Sequence, residues 1–222
     1  LLIVNKPAGL AVHGGSGIAL GVIETLRITR PELKFLELVH RLDRDTSGVL
    51  LLAKKRSALV ELHRQIREGQ TDKRYYLLAH GEIAQGAGTM QLKFALHKYL
   101  LANGERRVRV DPDGLPSHTA LRVTKVMKRG DVAITLAEAQ LKTGRTHQIR
   151  VHLQKLGHSI LGDDKYGFED QDKLVKSKRL YLHAHLAGFT HPRTGEKMRI
   201  ESPLPSEFTA MMKNFEVPAE KS

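Results

Sequence analysis

The stretch that most constrains this chain is LVHRLDRDTSGVLLLAKK, residues 38–55. Apolar residues Leu36, Leu38 and Val39 give way to five ionisable residues within six positions: His40, Arg41, Asp43, Arg44 and Asp45. Thr46-Ser47-Gly48 supplies turn chemistry, and a second apolar run, Val49 to Ala53, follows. The pattern predicts two buried strands joined by a short charged loop. Two readings of Asp43 fit. In one it is an aspartate in a turn, accepting N–H bonds from Thr46 or Ser47. In the other it is a nucleophile or base held ionised by neighbouring guanidinium groups. Asp45, beside the small residues, suits the turn, whereas Asp43 suits display into a cleft.

Charge narrows the partners. The 222 residues carry 36 Lys and Arg against 24 Asp and Glu, a formal net charge of +12. A compact domain so basic usually meets a polyanion, and nucleic acid is expected ahead of the alternative, a merely basic soluble enzyme. With 41% hydrophobic residues the chain can bury a substantial core. There is no cysteine, which excludes a disulfide framework and a thiolate zinc site. This fits a reducing compartment, and a cytoplasmic location is expected. No segment approaches the ~20 apolar residues of a membrane span, so no membrane partner is expected. The chain opens without Met inside a strand-like segment, LLIVNK, which predicts that the natural N-terminus lies upstream.

No repeat, low-complexity tract or interdomain linker interrupts the sequence, and one α+β domain over 1–222 is expected. The strands predicted are 1–5, 36–40, 49–53, 75–80, 120–127, 132–140 and 180–186. Residues 120–139 read as a hairpin, with Arg129-Gly130-Asp131 at its turn. Three helices are predicted. One begins at Ser57 and ends at Gly69, with Leu59, Leu62 and Ile66 on its buried face. A second is capped by Thr146 and stopped by Gly157, with Ile149, Leu153 and Leu156 buried. A third runs over 18–28. Residues 101–117 are polar, basic and rich in turn formers. They form an exposed hairpin or mobile loop, and serve either as a phosphate-contacting arm or as a solvated segment. The tail from Val217 is expected to fray.

Several chemistries are excluded. HGGSGIALG (13–21) lacks the Gly-Lys-Ser/Thr of a phosphate-binding loop. His147 and His152 are five apart and share no helix face, and no Gly-x-Ser-x-Gly elbow occurs. No metal or cofactor site is expected. Two further segments can carry chemistry. In LKTGRTHQIRVHL (141–153), Arg145 lies at a strand-to-helix junction. A cation beside a positive helix end suggests an anion to meet, a phosphate or a carboxylate such as Asp43, the other reading being a plain surface arginine. In DKRYYLLAHG (72–81), Tyr75 and Tyr76 open a strand and face opposite ways. A tyrosine in a basic protein can stack on a base or fill the core.

Taken together, these segments resemble the pseudouridine synthases of the RluA family. HRLDRDTSG (40–48) matches the family signature His-Arg-Leu-Asp-x-x-Thr-Ser-Gly throughout. VNKPAGLAVH (4–13), KRYYLLAHG (73–81), LKTGRTHQIRVHL (141–153), LGDDKYG (161–167) and LYLHAHLAGFTHPRTGE (180–196) follow in the family's order. The resemblance implies a mixed, mostly antiparallel central sheet flanked by helices and loops, with the site in a central cleft. It implies that Asp43 is the catalytic aspartate. Arg41 would enter the RNA helix where the target uridine leaves, and Tyr75 would stack on that base. Arg145 would pair with the catalytic carboxylate, and Leu182 would belong to a C-terminal pocket motif. Many members carry an N-terminal S4-type RNA-binding domain, and this chain is expected to be without it.

The implied activity is isomerisation of uridine to pseudouridine, which needs no cofactor, no metal and no energy carrier. Within the family the likeness is to bacterial members acting on large-subunit, 23S ribosomal RNA, and the chain is expected to be a monomer. Transfer RNA as the target, or a non-catalytic RNA-binding or ribosome-assembly module, would give much the same sequence. The joint presence of Asp43, Tyr75 and Arg145 argues against the non-catalytic reading.

Overall fold

The computed structural model describes residues 1–15, 20–84, 86 and 88–216. In chain order its elements are β1 (Leu2–Lys6), α1 (Val22–Thr29), β2 (Glu37–Leu38), β3 (Ser47–Ala53), α2 (Arg56–Arg67) and β4 (Asp72–His80). Then come β5 (Met90–Leu100), β6 (Arg106–Val110), β7 (Leu115–Arg129), β8 (Val132–Leu141), α3 (Gln148–Lys155) and α4 (Glu169–Val175). The chain finishes with β9 (Leu182–Thr190), β10 (Lys197–Glu201) and α5 (Ser206–Lys213). The β-structure is mixed and mostly antiparallel, as expected for the α+β class, and five helices accompany it among the described residues. The chain divides into two compact units, Leu1–Arg74 with His183–Pro203, and Tyr75–Leu182 with the residues from Leu204 onward.

The first unit is organised by β3, whose seven residues are all buried. On one side β1 runs antiparallel to it, from Leu2 opposite Leu52 to Lys6 opposite Gly48. On the other side β9 runs parallel at its start and β2 antiparallel at its end. A strand with neighbours on both sides and both faces covered reads as a continuous apolar run, which is why Val49 to Ala53 does not alternate. The α2 face carrying Leu59, Leu62 and Ile66 packs on Val49, Leu51, Ala53 and Phe189, as the periodicity predicts. Its start differs from expectation: Lys55, in extended conformation, is the N-cap, and Ser57 lies inside the helix. Its end is as predicted. Gly69 N–H donates to Ile66 O and Gln70 N–H to Gln65 O, a Schellman closure.

The predicted strand 36–40 is only two residues long. Its ladder is interrupted by His40, whose Nε2 accepts the Leu51 N–H at 3.2 Å. Burial, with the Lys73 charge second, holds the His40 imidazole down at about 4. The neutral ring therefore keeps the lone pair that Leu51 needs. Gly48 is the tightest point of the unit. Its φ is +115°, and a Cβ there would lie 2.1 Å from the Ala184 carbonyl oxygen. Only glycine lets β3 and β9 approach at the end of the charged loop.

In the second unit the strands lie in the order β4-β8-β7-β5-β6. The β7–β8 hairpin turns at Gly130-Asp131, as predicted, with a register shift between Val123 and Lys125. Residues 101–117 resolve as hairpin structure. β6 pairs antiparallel with β5, Leu100 opposite Arg106, and a turn at Asp111–Gly114 leads into β7. The helix expected from residue 146 begins at Gln148. Its N-cap is His147 in the left-handed region (φ 51°), so Thr146 is not the cap. Its stop matches, with Gly157 N–H on Gln154 O and His158 N–H on Leu153 O. Its burial exceeds the predicted stripe, because all six residues from Gln148 to Leu153 are buried. Of the other expectations, α1 covers most of the predicted third helix from Val22 onward. The start of that prediction, Ile18, and the tail from Val217 fall outside the described residues.

His152 is wholly buried on α3. Its Nε2 lies 2.7 Å from Ser117 Oγ, which itself donates to Phe94 O at 2.6 Å. One hydroxyl proton cannot serve both, so His152 Nε2 carries the hydrogen. Its Nδ1 has no hydrogen-bond partner among the described residues. Burial, then the nearby His118, pushes this imidazole down to about 4. Above pH 6.5 the ring is neutral in both folded and unfolded chains, and no stability is at stake. Below 6.5 the unfolded chain takes up a proton that the native core refuses, so stability falls until the pH reaches about 4. This group alone should remove about 3 kcal/mol over that window. Denaturant midpoints measured from pH 7 to pH 4 should fall accordingly, and His152→Leu should flatten the slope. Gly48→Ala should cost about 3 kcal/mol or more, read as a lower thermal midpoint.

Candidate active site

The charged loop of the first unit is held from several directions. Lys6 closes β1 and is 0% exposed. Its ammonium donates to the carbonyls of Pro7 (2.9 Å), Leu10 (2.7 Å) and Arg44 (2.8 Å). A cation taken out of water must satisfy all of its donors, and three carbonyls match three N–H groups. The Arg44 carbonyl fixes the middle of the turn. Beside it, Thr46 N–H donates to the main-chain oxygen of Asp43 at 3.2 Å. The main chain of Asp43 thus takes part in closing the turn. Asp45 receives the Arg44 guanidinium, Nε on Oδ1 at 3.1 Å and Nη2 on Oδ2 at 3.1 Å. Asp43 is half-buried at the head of this turn, and Thr46 and Ser47 behind it are buried.

Arg41 is exposed, and its Nη1 lies 3.3 Å from His13 Nε2. His13 Nδ1 lies 2.6 Å from Gly14 O and must donate to that carbonyl, which leaves Nε2 as the acceptor for Arg41. Gly14 N–H and Gly21 N–H both donate to Glu24 Oε2, at 2.9 and 2.8 Å. Burial would raise the Glu24 carboxyl, but those backbone donors outweigh it and hold the group below its ordinary range. The His13 loop is thus pinned to the start of α1.

In the second unit the sequence-predicted residues lie on separate elements. Tyr75 is 7% exposed in β4 and Tyr76 is half-buried, the alternation expected of a strand. Leu182, at the start of β9, is buried. It follows Tyr181, whose carbonyl takes the Leu78 N–H of β4. Arg145 is exposed, and its Nε donates to Pro116 O at 3.1 Å.

Arg145 owes its place to Gln148, which sequence reasoning passed over. The buried Gln148 side chain accepts Arg145 N–H (3.0 Å) and Thr143 Oγ–H (2.7 Å) through Oε1. Through Nε2 it donates to His118 O (3.0 Å) and Thr119 Oγ1 (2.9 Å). One amide thereby ties the loop before α3 to β7. Two residues on, Arg150 makes a buried two-point pair with Asp163, Nε on Oδ2 at 2.8 Å and Nη2 on Oδ1 at 2.6 Å. Asp163 Oδ1 also accepts the N–H groups of Lys165 and Tyr166. The Tyr166 hydroxyl accepts Val108 N–H and donates to His147 Nδ1 at 2.7 Å. Burial raises its pKa to about 12, so it remains a donor. The segment LGDDKYG was recognisable, but its work, bracing α3, was not.

Lys6 was likewise missed. Its signal was present: a lysine ending an apolar strand before Pro-Ala-Gly, where the turn brings carbonyls back to it. Among the described residues no group of His, Asp or Glu side chains could hold a metal ion, and no helix is long and apolar enough to cross a membrane.

Comparison with known proteins fits this arrangement. Ribosomal large subunit pseudouridine synthase C of Salmonella typhimurium is 54% identical over 209 residues, covering 92% of this chain and 64% of that protein. The protein of the same name from Pasteurella multocida is 51% identical over 215 residues, covering 96% and 64%. The chain thus spans about 64% of the length of these curated relatives. Among solved structures, human RNA Pseudouridylate Synthase Domain Containing 1 superposes with a TM-score of 0.73 at 26% identity, covering 90% of this chain and 78% of that one. Human RNA Pseudouridylate Synthase Domain Containing 4, at 24% identity and a TM-score of 0.73, shares the fold over 98% of this chain and 91% of its own. A model described as RNA pseudouridylate synthase matches residues 1–155, the span that holds Lys6, the Asp43 turn, Tyr75 and Arg145, and the chain belongs to that family.

Proposed function

We propose that this chain isomerises specific uridines to pseudouridine in 23S ribosomal RNA, with Asp43 as the nucleophile. The observation that carries the reading is the Asp43 turn. It bears the family signature without a departure, and its backbone is held by buried groups while the carboxylate is half-buried at its head. The names of the relatives, which act on the ribosomal large subunit, and the net charge of +12 support the choice of RNA. Residues 1–222 act as one catalytic domain, a monomer working in the cytoplasm.

In this reaction the C1′–N1 bond breaks, the uracil turns, and a C1′–C5 bond forms. The C5 proton leaves to solvent and N1 gains one, so atoms and electrons balance without a co-reactant. An ionised carboxylate serves by attacking C6 or C1′ or by taking the C2′ proton. Arg145 is assigned the pairing with the Asp43 carboxylate, and Tyr75 and Leu182 the apolar seat of the base. Extruding a paired uridine costs a few kcal/mol, offset by phosphate contacts. Arg41 fills the space that the base vacates.

Tritium release from ribosomal RNA labelled at uracil C5 tests the reading. The wild type should release tritium, and Asp43→Asn should lower the rate by at least about 10³-fold with an unchanged melting temperature. Release by Asp43→Asn at the wild-type rate would refute the nucleophile. Arg145→Lys should lose about 10- to 100-fold in kcat, because a point charge does not replace a planar fork. Wild-type rates for it would remove Arg145 from the site.

A further inference from the structure

We infer that His183 is a positioning residue for the Asp43 turn and acts on it through Ser47. The inference rests on the reading of Asp43 as the nucleophile. Ser47 is four residues beyond Asp43 and opens β3. Its Oγ lies 2.9 Å from His183 Nδ1, with the two residues 3% and 1% exposed. They face each other where β3 and β9 run parallel, a ladder of only two residue pairs, Ser47 with His183 and Gly48 with Ala184.

A ladder so short does little to fix the end of a strand, and the side-chain bond adds a second, directional point of attachment. His183 is itself held. Its Nε2 faces the Ser202 carbonyl at 3.4 Å, and Ser202 donates through Oγ to Asn5 Oδ1 (2.9 Å) and through N to His185 O (2.8 Å). The Nε2–H tautomer leaves Nδ1 to accept the Ser47 proton. Segments 5, 47, 183 and 202 are thereby joined beneath the turn.

An apolar pair would fill the same space without the cost of burying polar atoms. A hydrogen bond instead sets direction and distance. Lys6 grips the turn from one end, at Arg44, and His183 grips it from the other, at Ser47. Misplacing a reacting group by about 1 Å can cost about 10²-fold in rate.

The test is tritium release over a range of labelled ribosomal RNA concentrations up to saturation, with thermal melting to count folded enzyme. Ser47→Ala and His183→Leu should each lower kcat per folded molecule by about 10- to 100-fold while KM stays within about twofold. The double variant should be no worse than the poorer single one. His183→Asn, whose Oδ1 can take the Ser47 proton where Nδ1 did, should recover most of the rate. Wild-type kcat in the single variants, additive losses in the double, or His183→Asn no better than His183→Leu would each overturn the inference. If His183→Leu does not fold, Ser47→Ala and His183→Asn carry the comparison. Asp43→Asn runs alongside. An active Asp43→Asn sinks the nucleophile and this inference with it. An inert Asp43→Asn beside a fully active Ser47→Ala sinks this inference alone.

Discussion

A lysine ammonium removed from water must find an acceptor for every proton, and the rest of the first unit is arranged around that demand. Lys6 finds its acceptors in three carbonyls from two stretches of chain, Pro7 and Leu10 on one side and Arg44 on the other. The geometry can be met only if β1 lies against β3 in the observed register, with Lys6 opposite Gly48. On the other side of β3, β9 approaches Gly48 at Ala184, which only a residue without Cβ allows. The charged turn is therefore not a flexible link between strands. Its backbone is set by a buried cation before any substrate arrives, as electrostatic preorganisation requires.

The second unit meets the same problem with different groups. Arg145 is on an exposed loop, yet the amide of Gln148 ties that loop to β7 by four hydrogen bonds. Behind it, the Arg150–Asp163 pair and the Tyr166 hydroxyl fix α3 on β6. Removing one partner of a buried ion pair leaves an uncompensated charge, at a cost of about 3–5 kcal/mol. Both units thus hold an exposed or half-exposed cationic or acidic side chain on a backbone anchored by buried polar atoms, each with its partners met. Loops that carry function are commonly mobile, and here buried polar contacts supply the rigidity that loops otherwise lack.

Part of this was legible in the chain. The apolar run Val49–Ala53, the α2 stripe, the Arg129-Gly130-Asp131 turn and the glycine stops at Gly69 and Gly157 are local signals, and they stand where they were expected. The helix starts were not legible. Ser57 and Thr146 are good capping residues by type, but Lys55 and His147 occupy the cap positions, because tertiary contacts set where each helix begins. β5 and β10 escaped notice, as did α4 and α5, and β6 was foreseen only as part of the hairpin or loop over 101–117. Their sequences mix charged and apolar residues in short segments, and pairing rather than propensity makes them strands. The burial of Arg150 and His152 was also hidden. Their residue types predict a solvated face, and partners brought up by the fold, Asp163 and Asp164 for Arg150 and Ser117 for His152, make burial affordable.

The amino-acid sequence by itself determined the family, the aspartate-bearing turn and its flanking apolar runs, the basic character and the absence of thiol chemistry. These depend on residue identity at short spacing, which a linear chain displays. The tertiary structure decided which polar groups hold that turn. Lys6 and Arg44 are 38 residues apart, and Ser47 and His183 are 136 apart. No local pattern announces a hydrogen bond across such a span. It exists only once the strands have paired and water has been excluded from between them.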